Sequence, residues 1–387
     1  MVARKGENLE ESQGISSRGI SGFVYVTLAQ LGSTVLGAIF WIGIASILHP
    51  RALGYLSWLI SIGTLVSIAC SLGLGKTVVA YYPKKEGKGG LLSGATLFVL
   101  VVSVGIGAIF SLLLDPVVGF LIIGFSSLSV ATYSELAKQQ YRNYMVLMVG
   151  ARLLSISLAI LFYFWFGVIT GIIAGFAVAH FLFGLKALSN FHSSPSIIGL
   201  KETMGFSLHS WGADLSRGSI NFIDKILIGQ LFGMTTLGLY WLANRIFLLF
   251  GILPQILFFY LFPQKSAGKT TKWIAVLGTF FSAIFAAAIF FISPLVIQDF
   301  LPHFYPAIGA IRLMGLALIP ATIAGIKLSE LYSEGKSGVV IESHILALAV
   351  WAASFLILGE SFGVLGLAGS MMLLQITLAI SLFILPE

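Results

Sequence analysis

The sequence predicts an all-α polytopic membrane protein, with about twelve transmembrane helices in two parallel six-helix bundles around a central cavity. Three observations carry this reading. Of 387 residues, 58% are apolar and only 10% are charged, against roughly 25% charged in soluble proteins. Apolar runs of about 20 residues, the length a bilayer requires, follow one another from residue 20 to residue 385. The second half of the chain also resembles the first. This composition excludes a water-soluble enzyme, a nucleic-acid-binding domain and a disordered chain. The 43 glycines fit helices packing closely inside a bilayer.

In chain order, Met1–Arg18 mixes Arg4, Lys5 and Arg18 with Glu7, Glu10 and Glu11. The apolar stretch after it is of full spanning length, so residues 1–19 read as a cytoplasmic segment and not as a cleavable signal. Spans follow at about 20–48, 55–81, 91–114, 117–137, 144–166, 168–188, 204–232, 236–262, 273–299, 307–332, 338–358 and 361–385. The third and fourth meet at Asp115-Pro116. Gly167, Gly171 and Gly175 give the sixth a small-residue stripe suited to close helix packing. Pro254 is expected to kink the eighth. The polar connection 191–203 divides an N-terminal bundle (20–190) from a C-terminal one (204–387). The single Cys70 lies in an apolar run, which excludes a disulfide framework and a cysteine-based metal site.

Charge sets the orientation. With the N-terminus in the cytoplasm, Arg4, Lys5, Arg18, Lys84, Lys85, Lys88, Lys138, Arg142, Lys186, Lys201, Lys265, Lys269, Lys272 and Lys336 fall on that side, fourteen of the 22 basic residues. The opposite loops hold Arg51. The positive-inside rule then places both termini in the cytoplasm, and the net charge of +7 needs no nucleic acid to explain it.

The repeat is visible in two places. Leu53–Trp58 (LGYLSW) opens the second span as Leu237–Leu242 (LGLYWL) opens the eighth. Downstream, Tyr81-Tyr82-Pro83-Lys84-Lys85 with Gly87-Lys88 matches Tyr260-Leu261-Phe262-Pro263-Gln264-Lys265 with Gly268-Lys269. Six spans per repeat make the halves parallel, a symmetry found in alternating-access transporters.

Ionisable residues inside a bilayer cost about 2.5–3.5 kcal/mol on insertion scales and face a cavity or a partner. Arg217 sits at the middle of the seventh span; Arg152, Arg245 and Arg312 lie near the centres of theirs. Acidic residues at this depth are Asp214 and Asp224, so positive charge is in excess. Ser207, Ser210, Asp214, Arg217, Asn221 and Asp224 recur every three or four residues, a polar stripe along one helix face. Arg245 and Gln255 share a face of the eighth span. A purely local neutralisation of Asp214 by Arg217, at i and i+3, is the simpler alternative for that pair. Lys76 is expected to snorkel to the cytoplasmic surface. Lys327, Glu330 and Glu334 read as an ion-pair ladder, Glu135 and Glu342 as solvated, and His180, His209 and His344 as buried and hydrogen-bonded, with no metal-ligand spacing. Gly75-Lys76-Thr77 and Gly268-Lys269-Thr270 imitate the end of a phosphate loop, but its first glycine is replaced by Cys70 and Pro263, so ATP binding is not supported.

Several segments together resemble polysaccharide exporters of the Wzx type, flippases of lipid-linked oligosaccharides. They are Gly19-Ile20-Ser21-Gly22, Leu48–Tyr55, Ser71–Gly75 leading to Tyr81-Tyr82-Pro83, Asn221–Gly229, Leu237–Tyr240 and Ala243-Asn244-Arg245. Their wider superfamily of multidrug, oligosaccharidyl-lipid and polysaccharide (MOP) exporters also holds multidrug extrusion antiporters and peptidoglycan-precursor flippases. The resemblance implies a plasma-membrane transporter and not an enzyme. Its substrate would be a polyprenyl- or dolichyl-phosphate-linked oligosaccharide, and its associates the glycosyltransferases or polymerase of the same pathway. Arg217, Arg245, Arg152 and Arg312 would then attract the phosphate, Asn221 and Gln255 would meet the glycan, and Asp214 or Asp224 would couple transport to Na⁺ or H⁺ without any other cofactor. The first span lacks the buried acidic or arginine residues of some relatives, which argues against a cation-coupled multidrug exporter. A membrane scaffold in envelope assembly is the non-transport alternative.

Overall fold

A computed structural model of the chain describes residues 2–83, 88–167, 169–268 and 270–385. Every regular element among them is helical: α1 (Val2–Ile47), α2 (Pro50–Ser71), α3 (Leu74–Tyr81), α4 (Lys88–Leu113), α5 (Pro116–Ala137), α6 (Tyr141–Phe166), α7 (Thr170–Gly184), α8 (Ile197–Leu231), α9 (Met234–Phe250), α10 (Ile252–Ser266), α11 (Lys272–Phe300), α12 (Ile308–Leu316), α13 (Leu318–Ser333), α14 (Ser337–Phe362) and α15 (Val364–Ile384). Two 3₁₀ turns, Leu185–Asn190 and Pro302–Ala307, complete the order. Hydrocarbon offers the backbone no hydrogen-bond partners, and a helix satisfies its peptide groups internally. Among the described residues, eleven helical segments are long and apolar enough to cross a membrane, two of them formed by α9 with α10 and by α12 with α13. The seventh span read from sequence corresponds to α8, a helix of 35 residues that is not among those eleven. Lys84, Lys85 and Lys269 of the paired basic loops lie outside the described residues.

Local chemistry explains the boundaries. Asp115 caps α5, its carboxylate accepting from the Val117 N–H at 2.8 Å, with Pro116 at the first helical position where no N–H is needed. The eighth and tenth spans are each interrupted. Pro254 has no N–H for the carbonyl of Phe250, and the chain breaks at Gly251 between α9 and α10. Pro320 stands in the same relation to Leu316, and the break falls at Ala317 between α12 and α13. In both cases the proline then sits in the first turn of the next helix, where it is tolerated. The second span breaks differently, through Leu72 (φ 45°) and Gly73 (φ 68°). A side chain at Gly73 would meet the Ser207 carbonyl of α8 at 2.3 Å.

By their contacts the residues group into two compact units, Met1–Trp41 with Trp58–Ile226, and Ile42–Ser57 with Leu227–Glu387. In the first, α3 to α6 share a core of Leu74, Val78, Leu92, Val99, Leu128 and Leu147. Phe40, Trp41 and Phe176 form a second, aromatic cluster there. The glycine stripe behaves as expected at two of its three positions. Gly171 and Gly175 press against the backbone of α6 at Phe162 and Ala159, whereas Gly167 ends α6 in a left-handed conformation with open space around it. Large side chains such as Leu112, Trp165, Trp273, Phe291 and Phe300 are exposed, an arrangement suited to lipid and unsuited to water.

In the second unit the two repeat segments meet. A Cβ on Gly54 would lie 1.8 Å from the Met234 carbonyl oxygen, and a Cβ on Gly238 would lie 1.8 Å from that of Pro50. Each glycine thus faces the residue four positions before the other. That reciprocity is what a two-fold relation between the repeated segments produces. Gly54→Ala and Gly238→Ala should each destabilise the protein by about 1–3 kcal/mol or more. Gly43→Ala, on α1 with nothing within 4 Å, should be neutral or stabilising by up to about 1 kcal/mol. Thermal unfolding in detergent with fluorescence-detected chromatography checks the contrast.

Candidate functional site

The polar stripe of α8 does assemble a site within the first unit. Ser67 and Ser71 from the end of α2, Ser129 and Tyr133 from α5, and Asp214 and Asn221 from α8 line a cavity of about 270 Å³. The break between α2 and α3 is fixed against α8 by two hydrogen bonds to freed carbonyls. Ser207 Oγ donates to the Leu72 carbonyl at 2.6 Å, and Trp211 Nε1 donates to that of Ala69 at 3.1 Å. Ser207, read from sequence as part of a cavity-facing stripe, is fully buried in this contact.

Asp214 takes its cation from an unexpected place. Lys76, on α3, brings its Nζ to 2.5 Å from Asp214 Oδ1. The expectation that Lys76 snorkels to the surface is therefore corrected: the break at Leu72-Gly73 redirects α3 so that its lysine reaches the carboxylate. Three residues along α8 from Asp214, the side chain of Arg217 lies outside the described residues. Asp224 is buried with Lys225, whose Nζ lies 3.0 Å from Oδ1 and 3.1 Å from Oδ2 and also donates to the Asn221 carbonyl at 2.7 Å. Neither Lys76 nor Lys225 was singled out by the sequence as a partner. Adjacency to Asp224 was the available signal for Lys225, and nothing local marked Lys76.

The remaining arginines sit in separate places. Arg152, on α6, faces α1, with Nε 3.5 Å from Ser33 Oγ and its guanidinium beside Gly37. Arg245 lies over the Trp241 ring at 4.6 Å, and Gln255 is exposed on α10. Arg312 has a structural task. Pro294 lies inside α11 and cannot supply the N–H that the Phe290 carbonyl would accept. Arg312 Nε donates to that carbonyl at 3.0 Å, and its guanidinium rests 4.7 Å from the Phe290 ring centre.

Other charges also depart from expectation. Glu135 is not solvated: it is 1% exposed and accepts from Asn143 Nδ2 at 2.9 Å. It lines a second cavity of about 380 Å³ with Lys138, Lys186, Asn190 and His192. Burial lowers the pKa of Lys138 there; nearby Glu135 opposes the shift and Lys186 adds to it. Glu330 accepts from Lys327 and from Lys265 at 3.3 Å, whereas Glu334 pairs with Lys336 at 3.0 Å, so the ladder stops at Glu330. His180 is buried and bonded to the Phe176 carbonyl, while His209 bonds to that of Gly205 but is exposed. Among the described residues no group of three or more potential metal ligands occurs.

Solved structures share this helical arrangement. An inward-facing multidrug resistance MATE family transporter of the MOP superfamily matches with TM-score 0.69 at 16% identity, over 94% of this chain and 97% of that one. The chain shares the fold of this transporter. The lipid II flippase MurJ, in an inward closed conformation, matches with TM-score 0.68 at 12% identity, over 93% of this chain and 87% of its own. An outward-facing MATE family transporter reaches 0.56 at 16% identity, covering 93% of both chains. Within this exporter fold, residues 117–272 match the family described as "Polysaccharide biosynthesis protein". No curated protein sequence matches the chain.

The Arg312 contact can be tested as a cycle. Arg312→Ala should cost about 1.5–3 kcal/mol, the usual range for a charged hydrogen bond. In a Pro294→Ala background, where residue 294 can supply its own N–H, the cost should be much smaller. Equal losses in the two backgrounds, measured by thermal unfolding, would refute the assignment.

Proposed function

We propose that the protein is a flippase that moves a polyprenyl- or dolichyl-phosphate-linked oligosaccharide across the plasma membrane by alternating access, for assembly of a cell-surface polysaccharide or glycoconjugate. The observation that carries this reading is the polysaccharide biosynthesis match over residues 117–272 in a chain with the exporter fold. The charge inventory supports it. An arginine fork bonds phosphate oxygens in pairs and stays protonated at any physiological pH. Arg217 and Arg245 are the principal phosphate ligands in this reading. Arg152 assists, and Arg312 contributes through the donors that its bond to Phe290 leaves over. Asn221 and Gln255, both exposed, meet the glycan. Asp214 and Asp224 serve coupling to an ion gradient. Both termini are cytoplasmic in this reading, which the excess of basic residues in the corresponding loops supports.

A cation-coupled multidrug exporter is the second reading. One observation favours it: among the described residues lining the α2–α5–α8 cavity, Asp214 is the only charged one. A flipping assay in proteoliposomes with a polyprenyl-diphosphate-linked glycan separates the two. Arg217→Ala and Arg245→Ala should each reduce flipping at least tenfold while leaving the protein folded. Normal flipping by both variants would exclude the cationic path, and export of lipophilic cations with no glycolipid flipping would favour the second reading.

A further inference from the structure

The cavity beside the α2 break has the chemistry of a monovalent-cation site. It sits at the C-terminal end of α2, where the helix dipole is negative. Ser67 and Ser71 give their hydroxyl protons to the carbonyls of Thr64 and Ile68 at 2.8 and 2.7 Å. Their oxygens are thereby left as acceptors. Asp214 supplies the one full negative charge among the described lining residues, and Asn221, Ser129 and Tyr133 add further oxygens. Ends of interrupted helices combined with a carboxylate are the setting in which transporters coordinate small cations. Here a cation already holds the carboxylate, and it is covalently attached: the ammonium of Lys76.

We propose that Lys76 is a tethered cation, taking at Asp214 the place that a free monovalent metal ion such as Na⁺ would otherwise take. An ammonium group and Na⁺ carry the same charge and seek the same oxygen donors, but the ammonium is delivered by α3 and cannot dissociate. Its position depends on the helix break at Leu72-Gly73 and on the two α8 side chains that hold it. The wild-type site consequently takes up no Na⁺. Without the lysine the same oxygens and the carboxylate that Lys76 has released form a site that Na⁺ fills. The inference narrows the ion-coupling part of the transporter reading by removing Na⁺ as the ion at Asp214, and rests on that reading only for its physiological consequence. Its test uses no glycolipid, so its failure and that of the flippase assignment are distinguishable.

The experiment compares thermal unfolding of the detergent-solubilised protein in NaCl, KCl and N-methylglucamine chloride at equal ionic strength. The wild type should show the same midpoint in all three. Lys76→Met, which keeps most of the side-chain volume, should gain a saturable midpoint rise of about 2–4 °C in Na⁺. The double variant Lys76→Met/Asp214→Asn should lose that rise. If Lys76→Met survives purification only in Na⁺, that selective yield is the same positive result. A Na⁺-dependent midpoint in the wild type that Asp214→Asn abolishes would overturn the proposal. So would a Lys76→Met variant whose midpoint or yield is indifferent to Na⁺.

Discussion

In hydrocarbon, a peptide carbonyl that loses its helical partner must find a donor inside the protein, because no water is present to take its place. Several features of this molecule follow from that constraint. The chain breaks its helices at Leu72-Gly73, Gly251 and Ala317 and carries Pro294 inside α11. At two of these places long-range side chains complete the bonding. Ser207 and Trp211 of α8 reach the carbonyls of Leu72 and Ala69, and Arg312 reaches that of Phe290. The polar face of α8 is therefore partly structural. It docks the end of α2, and in doing so shapes the cavity beside it.

The same rule governs charge. An isolated ion in low dielectric is far costlier than a paired one, and breaking such a pair costs more than the pair contributes. Asp214 and Asp224 accordingly have lysine partners, one from another helix and one from the next residue. This revises the inventory of deep charge. Counted from sequence, four arginines faced two aspartates, and the surplus appeared free for an anionic substrate. The folded chain adds two lysines to the positive side and assigns them to the aspartates. It also commits one donor of Arg312 to the backbone. The net surplus is not reduced, but its location moves to the arginines.

The architecture was legible because it depends on periodicity and local chemistry. Apolar runs located the spans, Asp115-Pro116 located the boundary between the third and fourth, and Pro254 located a helix interruption within three residues. The repeated Leu-Gly motif led to Gly54 and Gly238, which the fold brings into reciprocal contact. Partnerships across the fold were not legible. Lys76 and Asp214 are 138 residues apart, and nothing near either residue names the other. Glu135 looked solvated from its position near a span end, although Asn143, from the following helix, buries it with a hydrogen bond. The bond from Arg312 to the Phe290 carbonyl was equally hidden, because the sequence does not reveal that Pro294 leaves that carbonyl beside it.

If the protein is the proposed flippase, it binds an anionic, lipid-linked glycan in preference to a lipophilic cation. Native mass spectrometry of the purified protein, titrated with polyprenyl diphosphate and with a lipophilic cation, tests it directly. A saturable adduct with the diphosphate lipid that weakens in Arg217→Ala and Arg245→Ala is expected, with little retention of the cation. Selective retention of the cation, with no diphosphate adduct, would contradict it.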